Sequence, residues 1–421
     1  MSERTPVSET ELRLNSDRRG FLQVATAATV GSVLGFSIPF RENLGQGLVP
    51  VALAQDTPGL LPGKEGLISV GDKPINLQTP PHLLDDETTP ANRLFVRNHG
   101  GIPENKDIAD KDWSLIIDGE VENPAKLTIA DLKKDFENVK LRLQLECAGN
   151  GRAFFQPAAS GNQWTFGAVA CPEWTGVRLR DVLQKLGVKS SAVYTGHYGN
   201  DPDLSGDPKK DSLSRGVPIA KAMDEHNLIV WAINGEPLPL ANGYPLRLVI
   251  PGWPGSTSQK WLTRIWIRDK VHDGTRMAAP AYRMPKYPVA PGTEVPKEDM
   301  AIMESMPVKS LITAPATGAK VKAKEAFEVR GHAWAGDLDI TDVHVSADFG
   351  ANWQKADLAK PANKYAWQRW KAQIALPAMG YYEIWARATD AKGNMQPQVV
   401  PGWNPNGYGN NMQHRIAVFA S

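Results

Sequence analysis

An alternating segment that ends in a glycine-rich turn constrains the fold of this chain more than any other stretch. From residue 139 to residue 147 apolar and polar side chains alternate without interruption, which predicts one strand with a buried and an exposed face. The predicted inward positions are Val139, Leu141, Leu143, Leu145 and Cys147, and the outward ones are Lys140, Arg142, Gln144 and Glu146. The turn 148–151 contains two glycines, which tolerate positive φ and close backbone approach. The thiol of Cys147 is therefore predicted to point inward at a strand end, where it is core filler, a nucleophile or a metal ligand.

Bulk composition excludes several classes of protein. The 421 residues include 47 basic and 46 acidic ones, so no global field attracts nucleic acid, although a local basic pocket is compatible with this balance. The two cysteines do not form a haem attachment motif, a paired zinc motif or an iron–sulfur set. The 33 prolines and 37 glycines favour a loop-rich, largely β structure, and the length allows two domains.

The amino terminus has a pattern typical of an export signal. Residues 16–23 read SDRRGFLQ, a twin-arginine pattern, and an apolar run over 24–40 and a small-residue site ending at Ala54 follow it. A membrane anchor is the alternative, but the run is short for a spanning helix and contains glycine and proline. We predict a signal peptide over 1–54, cleavage after Ala54 and export of the folded protein to the periplasm, with membrane contact only during export.

The next part of the chain, residues 55–305, is predicted to be a mixed α+β domain. Residues 55–90 are proline-rich and weakly patterned, which predicts an extended arm on the domain surface, and the ordered core is expected from about residue 92. The clearest predicted elements are strands over 113–117, 139–147 and 228–233 and helices over 129–136 and 179–186. Gly187 is the predicted C-cap of the second helix.

A proline-rich segment over 285–307 separates this domain from a carboxy-terminal region, 306–421. Short alternating strands at close spacing there predict an all-β, immunoglobulin-like sandwich without a disulfide between its sheets. The predicted inward positions are Val343, Val345, Ala347, Tyr382, Ile384, Ala386 and Ala388, and the outward ones are Asp342, His344, Ser346, Glu383, Trp385, Arg387 and Thr389.

Several motifs resemble those of one enzyme family, the sulfite oxidase family of molybdenum enzymes. In the first domain they are FVRNHG, CAGNGR, WTGVRLRDVL, NGEPLPLANGYPLRLVIPGW and KWLTRI. In the second region MPVKSLITAP, GHAWAGD, DFGANW, ATDAKGNMQP and HRIAV resemble the dimerisation domain of that family. The resemblance covers nearly all of the chain after about Pro90 and matches both domains in order. It implies a sulfite-oxidase-type molybdopterin-binding domain followed by the sandwich, and a homodimer formed through residues 306–421.

The resemblance also implies a molybdenum cofactor with one molybdopterin and Cys147 as the metal ligand from the protein. A thiolate is a soft ligand that suits such a transition metal. Cys171 matches no ligand position and is predicted to be structural. A Cys147–Cys171 disulfide is the alternative for an exported protein, and it is incompatible with metal binding.

Position by position, the resemblance assigns roles to further side chains. The expected substrate-pocket residues are Arg97, Arg152, Trp164, Arg415 and Tyr282, with Tyr287 as a rival for the tyrosine. The expected cofactor contacts are Asn98, His99, Asn242, Arg247 and Lys260, together with an acidic residue near Asp201 or Asp203. Asn242 occupies a position where animal members carry a histidine. Clustered guanidinium groups suit a small oxyanion because their forked donors bind its oxygens in pairs.

The predicted activity is oxidation of sulfite to sulfate in the periplasm, with electrons passed singly to a c-type cytochrome because no haem is expected in this chain. The closest alternative is the sulfane dehydrogenase subunit of a thiosulfate-oxidising complex, which resembles the same family. Molybdenum reductases that repair methionine sulfoxide lack the carboxy-terminal sandwich, so the region from Met306 counts against them. An exported anion-binding protein without a cofactor is the alternative from another class.

Overall fold

Short strands dominate the secondary structure of the chain. A computed structural model describes residues 61–104 and 112–421, so the predicted signal segment 1–54 and its cleavage position lie outside the described residues. The described residues all belong to one compact unit. None of the helices in these two ranges is long and apolar enough to cross a membrane.

The N-terminal part, residues 61–302, contains strands and a few short helices. Its strands are β1 (Ile68–Asp72), β2 (Ile75–Gln78), β3 (Ser114–Gly119), β4 (Ala125–Thr128), β5 (Val139–Arg142), β6 (Leu145–Glu146), β7 (Val169–Ala170), β8 (Glu173–Arg178), β9 (Tyr194–Gly199), β10 (Leu228–Ile233), β11 (Glu236–Pro237), β12 (Arg247–Val249), β13 (Leu262–Arg268), β14 (Arg283–Pro285) and β15 (Met300–Ile302). Its α-helices are α1 (Ile129–Asp135), α2 (Leu179–Leu186) and α3 (Ile219–Ala222). Single 3-10 turns cover Pro81–Leu84, Ala91–Arg93, Arg152–Phe154, Leu240–Asn242, Gly255–Thr257 and Lys297–Asp299.

Two sheets organise this part. One has the order β11-β10-β8-β5 with β12 also paired to β10, and the other has the order β4-β3-β13-β9, in which β3 and β13 are parallel. Helices α1 and α2 share one apolar core with both sheets. The predicted strand over 228–233 is confirmed as β10, and the predicted helix over 179–186 is confirmed as α2.

The boundaries of α2 follow from its sequence. Apolar residues at helical spacing place one face in the core, and all four are buried: Leu179, Val182, Leu183 and Leu186. Gly187 adopts the left-handed conformation with φ of 72° and donates its N–H to the carbonyl of Gln184. The predicted C-cap is therefore confirmed, because a glycine reaches this conformation without a Cβ clash.

The C-terminal part, residues 309–421, is built from two sheets that enclose one core. Its strands are β16 (Lys309–Ala314), β17 (Ala319–Val321), β18 (Ala326–Trp334), β19 (Ile340–Ser346), β20 (Gln354–Lys355), β21 (Asp357–Leu358), β22 (Gln368–Ala375), β23 (Gly380–Asp390) and β24 (His414–Ala420). The sheets have the orders β16-β18-β22-β21 and β17-β24-β23-β19-β20. Side chains from both sheets form the core between them.

The alternation in this part predicts the buried residues of the inward face better than the exposed residues of the outward face. Among the predicted inward positions, those that are buried in the core are Val343, Val345, Ile384, Ala386 and Ala388. Three predicted outward residues, Ser346, Glu383 and Trp385, are also buried. Trp385 donates its indole N–H to Glu383 at 2.8 Å, so a local partner compensates the burial of this carboxylate. The outward assignment of these three residues is wrong, because neighbouring side chains cover them: Phe349 and Arg415 pack on Trp385, and Tyr381 donates its hydroxyl to Glu383.

The predicted nine-residue strand over 139–147 is interrupted in the structure. β5 ends at Arg142, β6 contains only Leu145 and Glu146, and between them the N–H of Gln144 donates to the carbonyl of Tyr365 at 2.8 Å. Gln144 and Glu146, predicted to face solvent, are 4% and 1% exposed. The prediction of their exposure is wrong because the C-terminal part covers this face.

The segment 55–90, predicted as a surface arm, contains regular structure in its described portion. β1 and β2 form an antiparallel hairpin, and Leu77 exchanges two backbone hydrogen bonds of 2.9 Å with Val96. Leu77 and Leu84 are both buried. The sequence pattern missed this arrangement because the contacts that stabilise the hairpin come from residues outside the segment, such as Val96 and Asn98.

A buried ion pair joins β6 to the C-terminal part. Glu146 accepts hydrogen bonds from Lys309 Nζ at 2.5 Å and Asn150 Nδ2 at 3.0 Å through Oε1, and from Trp334 Nε1 at 2.8 Å through Oε2. Lys309 also donates to the carbonyl of Asn150 at 3.2 Å. Every polar atom of the carboxylate is therefore satisfied, which is the condition under which a buried pair is tolerated.

We predict that Lys309→Met destabilises the protein by about 3–5 kcal/mol, because it leaves the Glu146 carboxylate buried without a counter-charge. The measurement is the free energy of unfolding in denaturant at neutral pH. Lys322→Met is the control, since Lys322 pairs with Glu325 at an exposed position and should contribute less than about 1 kcal/mol. Equal, small effects for both variants would contradict a structural role for the buried pair.

Candidate active site

Cys147 lies directly after β6, at the start of the glycine turn. It is 6% exposed, forms no disulfide, and donates its backbone N–H to the carbonyl of Ala168. Gly151 has φ of 95°, which an L side chain rarely adopts. A Cβ on Gly149 would lie 2.4 Å from Nη2 of Arg152, so the guanidinium packs where any other residue would place its side chain. The glycines thus let the turn close around Arg152 and leave the thiol at the strand end.

Cys147 lines a cleft whose empty space, open solvent included, is about 600 Å³. The cleft gathers residues from seven separate stretches of the N-terminal part. Its lining residues are Phe95, Arg97, His99, Leu145, Cys147, Asp201, Leu213, Asn242, Arg247, Gly255, Ser256, Ser258, Gln259, Lys260, Trp261 and Tyr282.

The cleft contains buried polar atoms that have no hydrogen-bond partner within the described ranges. They are Oδ1 of Asn242, Nε of Arg247, Oγ of Ser256 and Oε1 of Gln259. Buried polar atoms are normally satisfied, so four unsatisfied ones in one cleft indicate a polar ligand that binds there.

Two predicted cofactor contacts, Arg247 and Lys260, place positive charge on one side of the cleft. Arg247 donates to the carbonyls of Asn242 (2.8 Å) and Ser258 (3.2 Å), and burial lowers its pKa to about 9. Lys260 donates to the Ala241 carbonyl at 2.8 Å, and burial together with the charge of Arg247 lowers its pKa well below the usual range. Both cations are therefore held in a position where an anionic group would relieve their desolvation.

The carboxylate of the cleft is that of Asp201. Burial raises its pKa to about 6, and the charge of Lys260 opposes that rise. Its rival Asp203 lies outside the cleft lining and bonds instead to Ser205, through both the backbone N–H and the hydroxyl. Of the two predicted positions, the structure therefore places only Asp201 at the cleft.

Arg97 and Asn98 lie next to this group of cations. Arg97 lines the cleft and donates to the carbonyl of Asn98. Asn98 is 2% exposed, and its side-chain oxygen accepts a hydrogen bond from Lys260. Asn98 is not part of the cleft lining, but its hydrogen bond positions the Lys260 side chain that is.

Tyr282 and His99 form a hydrogen-bonded pair at the cleft. The Tyr282 hydroxyl and His99 Nε2 are 2.6 Å apart, and Tyr282 is 4% exposed. Burial, followed by the charge of Arg97, lowers the pKa of His99 well below the usual range, so the imidazole is neutral at pH 7. Tyr287 is 49% exposed and bonds to Asp299 at 2.7 Å. The structure therefore places Tyr282, and not its rival, at the cleft.

Arg152 and Trp164 lie one layer behind the cleft wall. Arg152 donates Nε to the carbonyl of Asn406 (2.6 Å) and Nη1 to that of Asn162 (2.9 Å). Trp164 is fully buried and packs edge-on against Phe95, a residue of the cleft. The structure brings both side chains to the site but not into the set that lines it.

The structure does not bring Arg415 to the cleft. Arg415 lies in β24, where its guanidinium is 3.7 Å from the buried carboxylate of Glu383 and stacks over the ring of Trp385. Its assignment to the substrate pocket needs correction for this reason. A buried carboxylate on the neighbouring strand requires a cation, and Arg415 supplies it.

The second cysteine has a structural position. Cys171 is fully buried in a cluster with Leu84, Val169 and Leu311, and burial raises the pKa of its thiol to about 12. Both cysteines are free, so the alternative of a Cys147–Cys171 disulfide is wrong.

Three polar groups at or beside the site carried no recognisable signal in the sequence. Ser256 and Gln259 line the cleft with side-chain oxygens that have no partner among the described residues, and neither residue type by itself indicates a cofactor contact. Arg215 lies next to Tyr282, with its guanidinium carbon 4.5 Å from the ring centroid. Its segment, SLSRGV, has no periodicity or motif that indicates a site.

Comparisons with known proteins agree with this geometry. Residues 99–276 match the oxidoreductase molybdopterin binding domain, and residues 300–421 match the Mo-co oxidoreductase dimerisation domain. Sulfite oxidase of Gallus gallus is 31% identical over 366 residues, which cover 84% of this chain and 78% of the relative. Mitochondrial sulfite oxidase of Drosophila melanogaster is 31% identical over 384 residues, and the chain spans 64% of its length.

Among solved structures, the sulfane dehydrogenase SoxCD from Paracoccus pantotrophus is similar, with 29% identity, a TM-score of 0.67 and 86% coverage of both chains. These matches define a molybdopterin-binding oxidoreductase. The chain belongs to the sulfite oxidase family of molybdenum enzymes.

The residues of the cleft fit the molybdenum cofactor of this family. Cys147 supplies a free thiol at the cleft, and a thiolate is a suitable ligand for the metal. The unpartnered atoms of Asn242, Arg247 and Gln259, next to Lys260, supply donors, acceptors and positive charge for the polar and phosphate-bearing pterin. These residues would hold the cofactor between Cys147 and the two buried cations.

We predict that His99→Asn makes the protein less sensitive to acid. Because the folded-state pKa of His99 lies below its unfolded value of about 6.5, protons bind the unfolded chain first as the pH falls, and stability present above pH 6.5 is lost below it. At pH 5 this effect is at most about 2 kcal/mol. The measurement is the melting temperature between pH 7.5 and pH 5.

The control for that experiment is His226→Asn, which removes an imidazole that lies 3.0 Å from the carboxylate of Asp224 and outside the cleft. It should leave the acid sensitivity of the protein at least as large as in the wild type. An identical pH dependence in the wild type and in His99→Asn would contradict the assignment of a neutral, buried His99.

Proposed function

We propose that this protein is a periplasmic sulfite dehydrogenase that oxidises sulfite to sulfate and passes electrons singly to a c-type cytochrome. The observation that carries the proposal is the charge of the cleft beside Cys147. Among the described residues, Arg97 lines it beside the two cations assigned to the cofactor, Arg247 and Lys260, and Asp201 is the carboxylate of the lining. Such a cleft favours a small oxyanion over neutral molecules.

In this proposal the side chains bind and orient the anion. Arg97 attracts the oxyanion and pairs its oxygens with guanidinium N–H donors, while Tyr282 offers a hydroxyl. Neutral His99 holds that hydroxyl without adding a further positive charge, which would retain a dianionic product. When bound, the molybdenum cofactor supplies the two-electron redox chemistry of the reaction.

Further parts of the proposal follow from the sequence. The twin-arginine pattern supports export to the periplasm, where a c-type cytochrome is a natural acceptor. The match of residues 300–421 to a dimerisation domain supports a homodimer. The α+β description of the first domain and the immunoglobulin-like description of the second remain predictions that accompany this proposal.

A sulfane dehydrogenase subunit is the second candidate. The similarity to SoxCD over 86% of both chains favours it, because SoxCD is a sulfane dehydrogenase. In that case the substrate is sulfane sulfur on a carrier protein, and the activity requires a partner subunit. The cofactor-free anion-binding alternative is less well supported, because a free thiol and unpartnered cofactor-facing atoms share one cleft.

The first test measures molybdenum in the purified protein and the reduction of cytochrome c after addition of sulfite. We predict about one molybdenum per chain and rapid reduction, and loss of both in Cys147→Ser because oxygen is a poorer ligand for this metal. Cys171→Ser is the matched control and should retain molybdenum, since Cys171 lies in an apolar core. Molybdenum without sulfite-dependent reduction would favour the sulfane dehydrogenase, and a metal-free protein would support the binding protein.

The second test compares two tyrosines that lie five positions apart in the chain. Tyr282→Phe should lower kcat/KM for sulfite at least tenfold, because it removes a hydroxyl at the cleft. Tyr287→Phe should leave kcat/KM unchanged, because Tyr287 lies outside the cleft lining and its hydroxyl bonds to Asp299 at an exposed position. The measurement is kcat/KM for sulfite from steady-state kinetics of the two variants at equal molybdenum content. An equal effect of the two substitutions would contradict a role for Tyr282 in substrate binding.

A further inference from the structure

Arg215 is a buried cation whose hydrogen-bonding capacity is unused. Its side chain is 1% exposed, and Nε, Nη1 and Nη2 all have no hydrogen-bond partner among the residues that the structure describes. Burial lowers its pKa. An unpaired buried guanidinium is costly, because its hydration is lost without replacement.

Other buried or half-buried arginines of the N-terminal part are paired in the ordinary way. Arg264 binds Asp118, Arg268 binds Asp273, and Arg283 donates to the carbonyls of two methionines. Arg215 therefore departs from the pattern of arginines that stabilise this fold. Such departures concentrate at functional sites.

Aromatic rings take the place of the missing acceptors. The guanidinium of Arg215 lies over the ring of Tyr282, with 4.5 Å between Cζ and the ring centroid. Tyr408 of the C-terminal part stacks on Tyr282 with 5.1 Å between centroids and an interplanar angle of 11°. Arg152 in turn lies over Tyr408 at 5.3 Å. Tyr282 is thus held in a column of two guanidinium groups and two phenol rings.

The segment that carries Tyr408 is fastened to the cysteine turn. Gly409 donates its N–H to the carbonyl of Ala148 at 3.0 Å, and Asn410 donates Nδ2 to that of Gly151 at 2.7 Å. The column is therefore anchored on the same turn that presents Cys147. Displacement of Tyr282 relative to that turn is therefore restricted through Tyr408.

We infer that Arg215 is a positioning residue for Tyr282. Arg215 holds the ring of Tyr282 by stacking on it, and its charge makes the Tyr282 hydroxyl a stronger hydrogen-bond donor to an oxyanion in the cleft. The inference rests on the proposed function, which supplies the oxyanion. Negative charge grows on the phenol oxygen when its proton is shared with an anion, and a cation on the ring stabilises that charge in a medium of low dielectric.

The pairing with His99 is compatible with this role. A hydroxyl has one proton, so when Tyr282 donates it to an anion, the bond of 2.6 Å to His99 requires Nε2 to carry a hydrogen and to donate. Neutral His99 can adopt that tautomer. Arg215 then acts on the substrate through Tyr282 and not by direct contact.

The experiment is a double-mutant cycle on the holoenzyme with Arg215→Met, Tyr282→Phe and the double variant, together with Arg215→Lys. The readouts are kcat/KM for sulfite at equal molybdenum content, the Kd of sulfate by calorimetry, and the melting temperature. Arg387→Met is the control, since Arg387 stacks on Trp353 at 3.9 Å in the C-terminal part, away from the cleft.

We expect Arg215→Met to lower kcat/KM and to weaken sulfate binding, each at least tenfold, with a melting temperature that is unchanged or higher because an unpaired buried charge is removed. Arg215→Lys should recover part of the loss, because its ammonium keeps a charge beside the ring. In the Tyr282→Phe background Arg215→Met should change kcat/KM less than twofold. Arg387→Met should alter none of the kinetic or binding values.

Three results would overturn the inference. They are unchanged kinetics and sulfate binding in Arg215→Met, effects of the two substitutions that multiply independently, and a loss of molybdenum in Arg215→Met. If the wild type does not oxidise sulfite, the proposed function fails, and sulfate binding alone then decides the inference. Weaker sulfate binding that depends on the Tyr282 hydroxyl would support it, and unchanged binding would reject it.

Discussion

The buried pair between Glu146 and Lys309 is the interaction on which the arrangement of the site depends. Glu146 directly precedes Cys147, and Lys309 begins the first strand of the C-terminal part. Trp334 and Asn150 complete the hydrogen bonds of the carboxylate. Because the pair is fully satisfied, it fixes the end of β6 against the second part of the molecule, and the direction of the thiol is fixed with it.

The C-terminal part therefore contributes to the site. Its segment around residues 404–413 covers the glycine turn, binds Arg152 through the carbonyl of Asn406, and places Tyr408 on the ring of Tyr282. Separate cores in the two parts supply rigidity. Packed cores of this kind hold the site in place even though several of its residues lie in loops.

Cations and unpartnered polar atoms give the cleft its chemical character. Arg247 and Lys260 are desolvated, so their pKa values fall, and Asp201 is desolvated, so its pKa rises. Each shift reflects a charge that is buried without full compensation. These groups reduce the stability of the fold, and a bound anionic cofactor would offset that cost.

Local pattern was sufficient for some features and not for others. Helical spacing and a following Gly187 predicted α2, and a strand followed by a glycine turn predicted a buried Cys147, because both signals lie within a few residues of each other. The burial of Glu146, the position of Arg415 beside Glu383 and the stacking of Arg215 on Tyr282 depend on partners far along the chain. By itself the sequence determined that Cys147 is buried at a strand end before a glycine turn, and that its motifs resemble those of one enzyme family. Only the tertiary structure decided which charges meet at the cleft, because burial and pairing depend on which surfaces pack together.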